Sequence, residues 1–276
     1  MTESGSHLLS IRVSVSYRGK PCVLRNVTLE MQRGEILGLV GQSGSGKSTL
    51  ALALLGLLDG KGVRIEGRIE FQGSDLLQAP ERDLRKLRGR SLGLVLQSPL
   101  SSLNPALKIR TQLREAWRAH ANGSRADCEA AIGSSLASVS LPADEEFLRR
   151  YPSQLSVGQA QRVLIAMTII HRPALLIADE ATSALDVITQ SEILALFAKL
   201  NRETGMAILY ISHDLPSVAD ICHRIAILHE GKIVELDSTE RIFRAPQHPY
   251  TRRLIAALPA RLALNAPCVS AATSGL

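Results

Sequence analysis

Gly41-Gln42-Ser43-Gly44-Ser45-Gly46-Lys47-Ser48 is the stretch whose reading decides the fold. It matches the pattern GxxxxGK followed by Ser or Thr. An apolar strand-like run over 36–40 precedes it and a helical segment over 47–58 follows. Strand, glycine turn and helix in that order make a cradle for phosphate. The glycines let the backbone approach an anion closely, so that successive N–H groups and the helix N-terminus face it. Lys47 brings charge for β and γ phosphates, and Ser48 a hydroxyl oxygen for Mg²⁺. Gly41, Ser43, Gly44, Ser45, Gly46 and Thr49 complete this set of nucleotide-binding positions. A mere Gly-Ser surface turn would not need the flanking strand and helix.

A second element lies downstream. Leu175-Leu176-Ile177-Ala178-Asp179-Glu180 reads as a buried strand that ends in two carboxylates. With a phosphate loop in the same chain the pair divides its tasks: Asp179 supports the Mg²⁺ shell and Glu180 polarises the attacking water as general base. Taken alone, the pair would also suit the N-cap of a following helix.

Around these two motifs the pattern is α/β. Strand character runs through 13–40, and Val63-Arg64-Ile65-Glu66-Gly67-Arg68-Ile69-Glu70-Phe71 alternates with a period near two, as half-buried strands do. A short apolar strand over 92–96 ends at Gln97. Helical periodicity then dominates 98–155, with helices predicted over 107–120 and 125–139, broken at Asn122-Gly123 and Leu141-Pro142. Helix and buried strand alternate again afterwards: helix 158–170, strand 174–178, helix 189–201, strand 206–211. No internal repeat is visible, and the Ala-, Ser- and Pro-containing stretch after Pro259 reads as loose tail.

At this point the residues resemble the ABC ATPase family, over nearly the whole chain. Leu155-Ser156-Val157-Gly158-Gln159, opening a helix, looks like the family's signature segment. The resemblance implies a cassette with a mixed-sheet core, an N-terminal antiparallel β part and an inserted helical subdomain. It would span 1–259, with the insertion at about 98–155 and a tail over 260–276. It implies ATP and Mg²⁺ as ligands, and two cassettes that join head to tail, each signature completing the partner's ATP site. Ser156, Gly158 and Gln159 would then meet phosphate across the dimer through hydroxyl, N–H and helix dipole. Gln97 resembles the glutamine that senses Mg²⁺ and the membrane subunit. Ser183-Ala184-Leu185-Asp186 resembles the segment that crosses the dimer, and His213 the switch histidine near the γ-phosphate. Tyr17 resembles the aromatic that stacks on adenine, although a strand tyrosine is as often a packing residue. Val157 departs from the family's commoner glycine, and its β-branched side chain is expected to stiffen and crowd the composite site.

Two further stretches resemble those of bacterial dipeptide, oligopeptide and nickel importers: Gln97-Ser98-Pro99-Leu100-Ser101-Ser102-Leu103-Asn104-Pro105 and His248-Pro249-Tyr250-Thr251-Arg252-Arg253-Leu254. By that resemblance the partners are a second, non-identical cassette, two membrane permease subunits and, indirectly, an extracytoplasmic binding protein. The place of work is the cytoplasmic face of the bacterial inner membrane, with the permease's coupling helix received by the insertion. Only Cys268 follows Pro259, so no iron–sulfur cluster is expected. A cassette does not touch cargo, and no residue here reads a peptide or a metal.

Composition agrees with a soluble motor. The 276 residues, 45% of them hydrophobic, can build a substantial core. The net charge of +6 comes with only 3% aromatics, which argues against a nucleic-acid platform. The basic run over 82–90 is expected to be solvated surface. Cys22, Cys128, Cys222 and Cys268 lack paired metal spacing and suit a reducing compartment. The apolar run 50–58 falls far short of the roughly 20 residues of a membrane span, and the N-terminus shows no export signal. A chromosome-maintenance ATPase of the same family would carry a long coiled coil between phosphate loop and signature, where this chain has only 49–151 without sustained heptads. A ribosome-acting factor would carry two phosphate loops. A weakly catalytic, regulatory half of a heterodimer stays open through Val157.

Overall fold

The computed structural model describes residues 7–58 and 62–258, so the expectations for the tail over 260–276 and for Cys268 lie outside the described residues. An antiparallel sheet of four strands, in the order β2-β1-β4-β5, comprises β1 (His7–Tyr17), β2 (Lys20–Gln32), β4 (Val63–Phe71) and β5 (Ser74–Asp75). A second sheet of six strands has the order β10-β9-β3-β8-β7-β6. Its members are β3 (Ile36–Val40), β6 (Leu92–Val95), β7 (Leu175–Asp179), β8 (Ala207–Ser212), β9 (Arg224–His229) and β10 (Lys232–Ser238). β6, β7, β8, β3 and β9 run parallel, and β10 closes the edge antiparallel to β9. The sheet core is therefore mixed, as expected.

The parallel strands read as unbroken apolar runs because both of their faces are covered. All five residues of β3 and all six of β8 are buried. Period two divides them. Leu37, Leu39, Leu209 and Ile211 point toward the antiparallel sheet and α1 (Lys47–Leu54), while Ile36, Val40, Ile208 and Tyr210 point toward the helices on the other face. Two apolar clusters thus sandwich the sheet that carries the phosphate loop and the paired carboxylates on its strand ends.

Helix α1 stops sooner than the predicted 47–58. Gly56 takes φ +61°, its N–H donates to the Ala53 carbonyl (3.0 Å), and Leu57 donates to Leu52 (2.8 Å). This left-handed glycine stop satisfies the last carbonyls and ends the helix four residues early. The basic run is also only partly solvated. Arg82, Arg85 and Lys86, on α2 (Glu81–Leu87), are exposed, but the Arg88 guanidinium donates to Leu55 O (2.6 Å) and Gly56 O (3.0 Å) and pairs with Glu81. Arg88 caps the C-terminal end of α1, where a cation is favoured.

Between β6 and β7 lie α3 (Pro99–Ser102), α4 (Ile109–Arg118), α5 (Arg125–Ser138), α6 (Glu145–Leu148) and α7 (Val157–Ile169). Ile109, Leu113 and Trp117 recur every four residues and give α4 one buried stripe. Ser124 and Asp127 form a reciprocal capping box that starts α5. Gln112 of α4 accepts from the Asn104 N–H and donates to the carbonyls of Asn104 and Leu107, which ties the 97–105 segment to the helices. The remaining helices are α8 (Val187–Thr204), α9 (Leu215–Ile221), α10 (Thr239–Arg244) and α11 (Pro249–Ala256). Among the described residues no helix is long and apolar enough to cross a membrane.

Candidate nucleotide site

The site forms where three parallel strands end side by side. β3 delivers the phosphate loop, β7 delivers Asp179 and Glu180, and β8 leads to His213. Gly46 closes the loop with φ +109°, and a Cβ there would lie 2.5 Å from Leu24 Cδ2 on β2, so the position requires glycine on two counts. Lys47 is buried, and its ammonium donates to Gly41 O (2.8 Å) and Gln42 O (3.1 Å). Burial lowers its pKa, against the opposing charges of Glu180 and Asp179.

Glu180 sits at φ +50°, a conformation rare for a residue with a side chain. Its N–H donates to Ile211 O (2.9 Å), which holds it against the neighbouring strand end. From there Oε1 lies 3.4 Å from His213 Nδ1 and 3.9 Å from Lys47 Nζ. Asp179 is less exposed to water: burial raises its pKa, the Ser48 hydroxyl works in the opposite direction, and the Glu180 charge raises it further.

Two openings meet here. A groove of about 180 Å³ is lined by Val23, Ser43, Gly44, Gly46, Lys47, Ser48, Thr49 and Glu180. An adjoining one of about 540 Å³ is lined by Ser48, Leu96, Gln97, Ser98, Ser101, Ser102, Asp179 and Glu180. The structure therefore brings Gln97 to the same wall as Ser48 and the two carboxylates. Asp179 Oδ1 and Ser45 Oγ are buried here without hydrogen-bond partners. A buried carboxylate oxygen in that state calls for a cation or its water shell, so the residues fit Mg²⁺ and phosphate. Val23 went unnoticed in the sequence, since an isolated strand valine carries no signal.

The other predicted positions stand apart from these grooves. Tyr17 ends β1, half-buried, at the same hairpin end as Val23 but outside the groove linings. Ser156 caps α7: its Oγ accepts from the Gln159 N–H (3.2 Å), and Gln159 Oε1 accepts from the Ser156 N–H (3.1 Å). Val157 is exposed beside them. Asp186 caps α8, accepting from the Ile188 and Thr189 amides and from the Thr189 hydroxyl. Ser156, Gly158, Gln159 and Asp186 line neither groove, so within one chain the signature does not share the phosphate loop's groove.

The glutathione import ATP-binding protein GsiA of Escherichia coli (strain K12) is 42% identical over 246 residues, which is 87% of this chain and 40% of that protein. GsiA of Salmonella typhimurium (strain LT2) is 42% identical over 242 residues, 86% of this chain and 39% of that protein. The chain thus spans about two fifths of the length of these curated relatives. The dimeric structure of a post-hydrolysis state of the ATP-binding cassette MJ0796, bound to ADP and Pi, superposes with a TM-score of 0.72 at 26% identity, covering 84% of this chain and 98% of that one. The structure of cbiO1 from Clostridium perfringens, part of the ABC transporter complex cbiONQ, shares the fold with a TM-score of 0.76 at 24% identity, covering 94% and 98%. A family model described as ABC transporter matches residues 24–183, from β2 through both carboxylates and beyond. That match takes in more than half of the chain, which belongs to the ABC transporter family as one of its ATPase cassettes.

Proposed function

We propose that this cassette powers an importer for small peptides, working at the cytoplasmic face of the bacterial inner membrane. Its partners would be a second, non-identical cassette and two membrane permease subunits, with cargo delivered by an extracytoplasmic binding protein. The observation that carries the catalytic half of this reading is Glu180 Oε1, poised between Lys47 Nζ (3.9 Å) and His213 Nδ1 (3.4 Å) at the groove edge. The cargo half is supported by the 97–105 and 248–254 segments and by relatives named for import of glutathione, itself a small peptide. Nickel is the alternative cargo among importers with such segments.

In this reading the loop amides and Lys47 hold the phosphates, and Ser48, Asp179 and Gln97 hold the metal. Mg²⁺, when bound, offsets charge on the phosphate oxygens. Glu180 takes a proton from the attacking water, and His213 orients Glu180 and the reacting phosphate. Tyr17, at the hairpin end beside Val23, is the candidate platform for adenine. Ser156, Gly158 and Gln159 would serve the partner cassette's site, with Asp186 nearby. Co-purification with the permease subunits, followed by ATPase measurement with glutathione, other peptides and Ni²⁺, tests the proposal. Stimulation by peptides is expected. Stimulation by Ni²⁺ alone would overturn the peptide reading.

A further inference from the structure

The His248-Pro249-Tyr250 segment has no task in the chemistry above, yet the fold seats it against the phosphate loop. Glu235 on β10 anchors it: Oε1 accepts from the Gln247 N–H (2.7 Å) and Oε2 from the His248 N–H (3.0 Å). His248 Nδ1 in turn accepts from the Tyr250 N–H (3.2 Å) and starts α11. Tyr250 is thereby buried, and its ring stacks on His229, with centroids 3.7 Å apart and planes 15° from parallel.

His229 ends β9, beside the loop. The preceding Leu228 carbonyl is so close to Gly41 that a Cβ there would lie 2.3 Å from it. The Tyr250 hydroxyl is buried with no hydrogen-bond partner, and the backbone N–H of Gln42 is the amide that acts on it. The Gln42 N–H shares its peptide plane with the Gly41 carbonyl, one of the two that hold the Lys47 ammonium (2.8 Å). For packing alone phenylalanine would be the better residue, because a buried hydroxyl without a full partner costs free energy that an apolar ring does not.

We infer that Tyr250 is a positioning residue for the phosphate loop. Its ring, held flat by His229, sets the hydroxyl toward the Gln42 amide and so biases the peptide plane in which Gly41 presents its carbonyl to Lys47. This rests on the nucleotide reading of the loop. Residues 208 positions apart in the chain are thus parts of one phosphate cradle.

Calorimetric titration of the full chain with MgATP and with ADP tests it, beside thermal unfolding without nucleotide. Y250F keeps the stack and removes only the hydroxyl. It is expected to weaken both nucleotides about threefold, as loss of a polar contact longer than a full hydrogen bond does, while the unfolding midpoint stays or rises. His229→Ala should weaken binding similarly, and His229→Phe, which restores a flat ring, should recover it. A purely structural role would move the midpoint and leave both affinities alone. Wild-type affinities in Y250F overturn this inference and leave the nucleotide site standing; a wild-type chain that binds neither nucleotide removes both.

Discussion

Gly158 lies so close to Thr189 that a Cβ on the glycine would sit 2.9 Å from the threonine's Cγ2. Thr189 cannot yield freely, because its hydroxyl donates to Asp186 Oδ2 (2.7 Å) and its amide to Oδ1 (3.0 Å). The signature helix and the cap of α8, which the sequence presents as separate motifs, therefore form one packed unit.

Gly158→Ala should consequently destabilise the chain by roughly 1–3 kcal/mol through overpacking, less whatever alanine returns in helix propensity. The double variant Gly158→Ala with Thr189→Ser removes the obstructing methyl and keeps the hydroxyl. Its unfolding midpoint should return toward wild type. Equal loss in both variants would show that the contact is not the cause.

Glu180→Gln should keep nucleotide binding and lose ATP turnover by about a hundredfold or more, the scale of a general base. Lys47→Ala should instead lose binding, since it removes the ammonium that the loop carbonyls hold in place. Turnover in the assembled transporter and nucleotide titration of the isolated chain separate the two. Normal hydrolysis by Glu180→Gln would reassign the base.

The raised pKa of Asp179 has a sign that stability can read. A carboxyl whose folded pKa exceeds its unfolded value binds more protons when folded. Its ionisation therefore removes stability as pH rises from the ordinary carboxylate range through the folded pKa. Asp179→Asn should raise the unfolding midpoint of the nucleotide-free chain at neutral pH, partly offset by lost attraction to Lys47. The gain should shrink as the pH falls from the folded pKa to the ordinary carboxylate range, and vanish below it. A gain independent of pH would point to packing instead. Loss of Mg²⁺-dependent nucleotide binding should accompany it, the common trade at a functional site.

Val157 is 41% exposed at the first turn of α7, next to the Ser156 and Gln159 capping pair. With that pair intact on either side, Val157→Gly should raise ATP turnover in the assembled transporter by relieving the crowding of a β-branched side chain. Turnover that does not change removes the idea that this signature is slowed.

Much of the site was legible because its parts are contiguous. The eight residues from Gly41 to Ser48 declare a loop between strand and helix, and the same loop stands at the end of β3. Asp179 and Glu180 were legible for the same reason, at the end of an apolar run. The early stop of α1 was also written locally, in Gly56, but the run of leucines around it masked the signal. Arg88 was not legible: in a row of basic residues nothing marks the one whose guanidinium turns inward to Leu55 and Gly56.

The chain's own order of residues determined the family, the α/β class and the phosphate-binding chemistry, because backbone conformation and side-chain charge within a short loop follow from nearest neighbours. Only tertiary structure decided that Gln97 shares a wall with Asp179, that Gly158 presses on Thr189, and that Tyr250 stacks on His229. Such pairings depend on which strands lie side by side in the sheet, and that is settled by burying two apolar faces at once, a condition no local stretch contains.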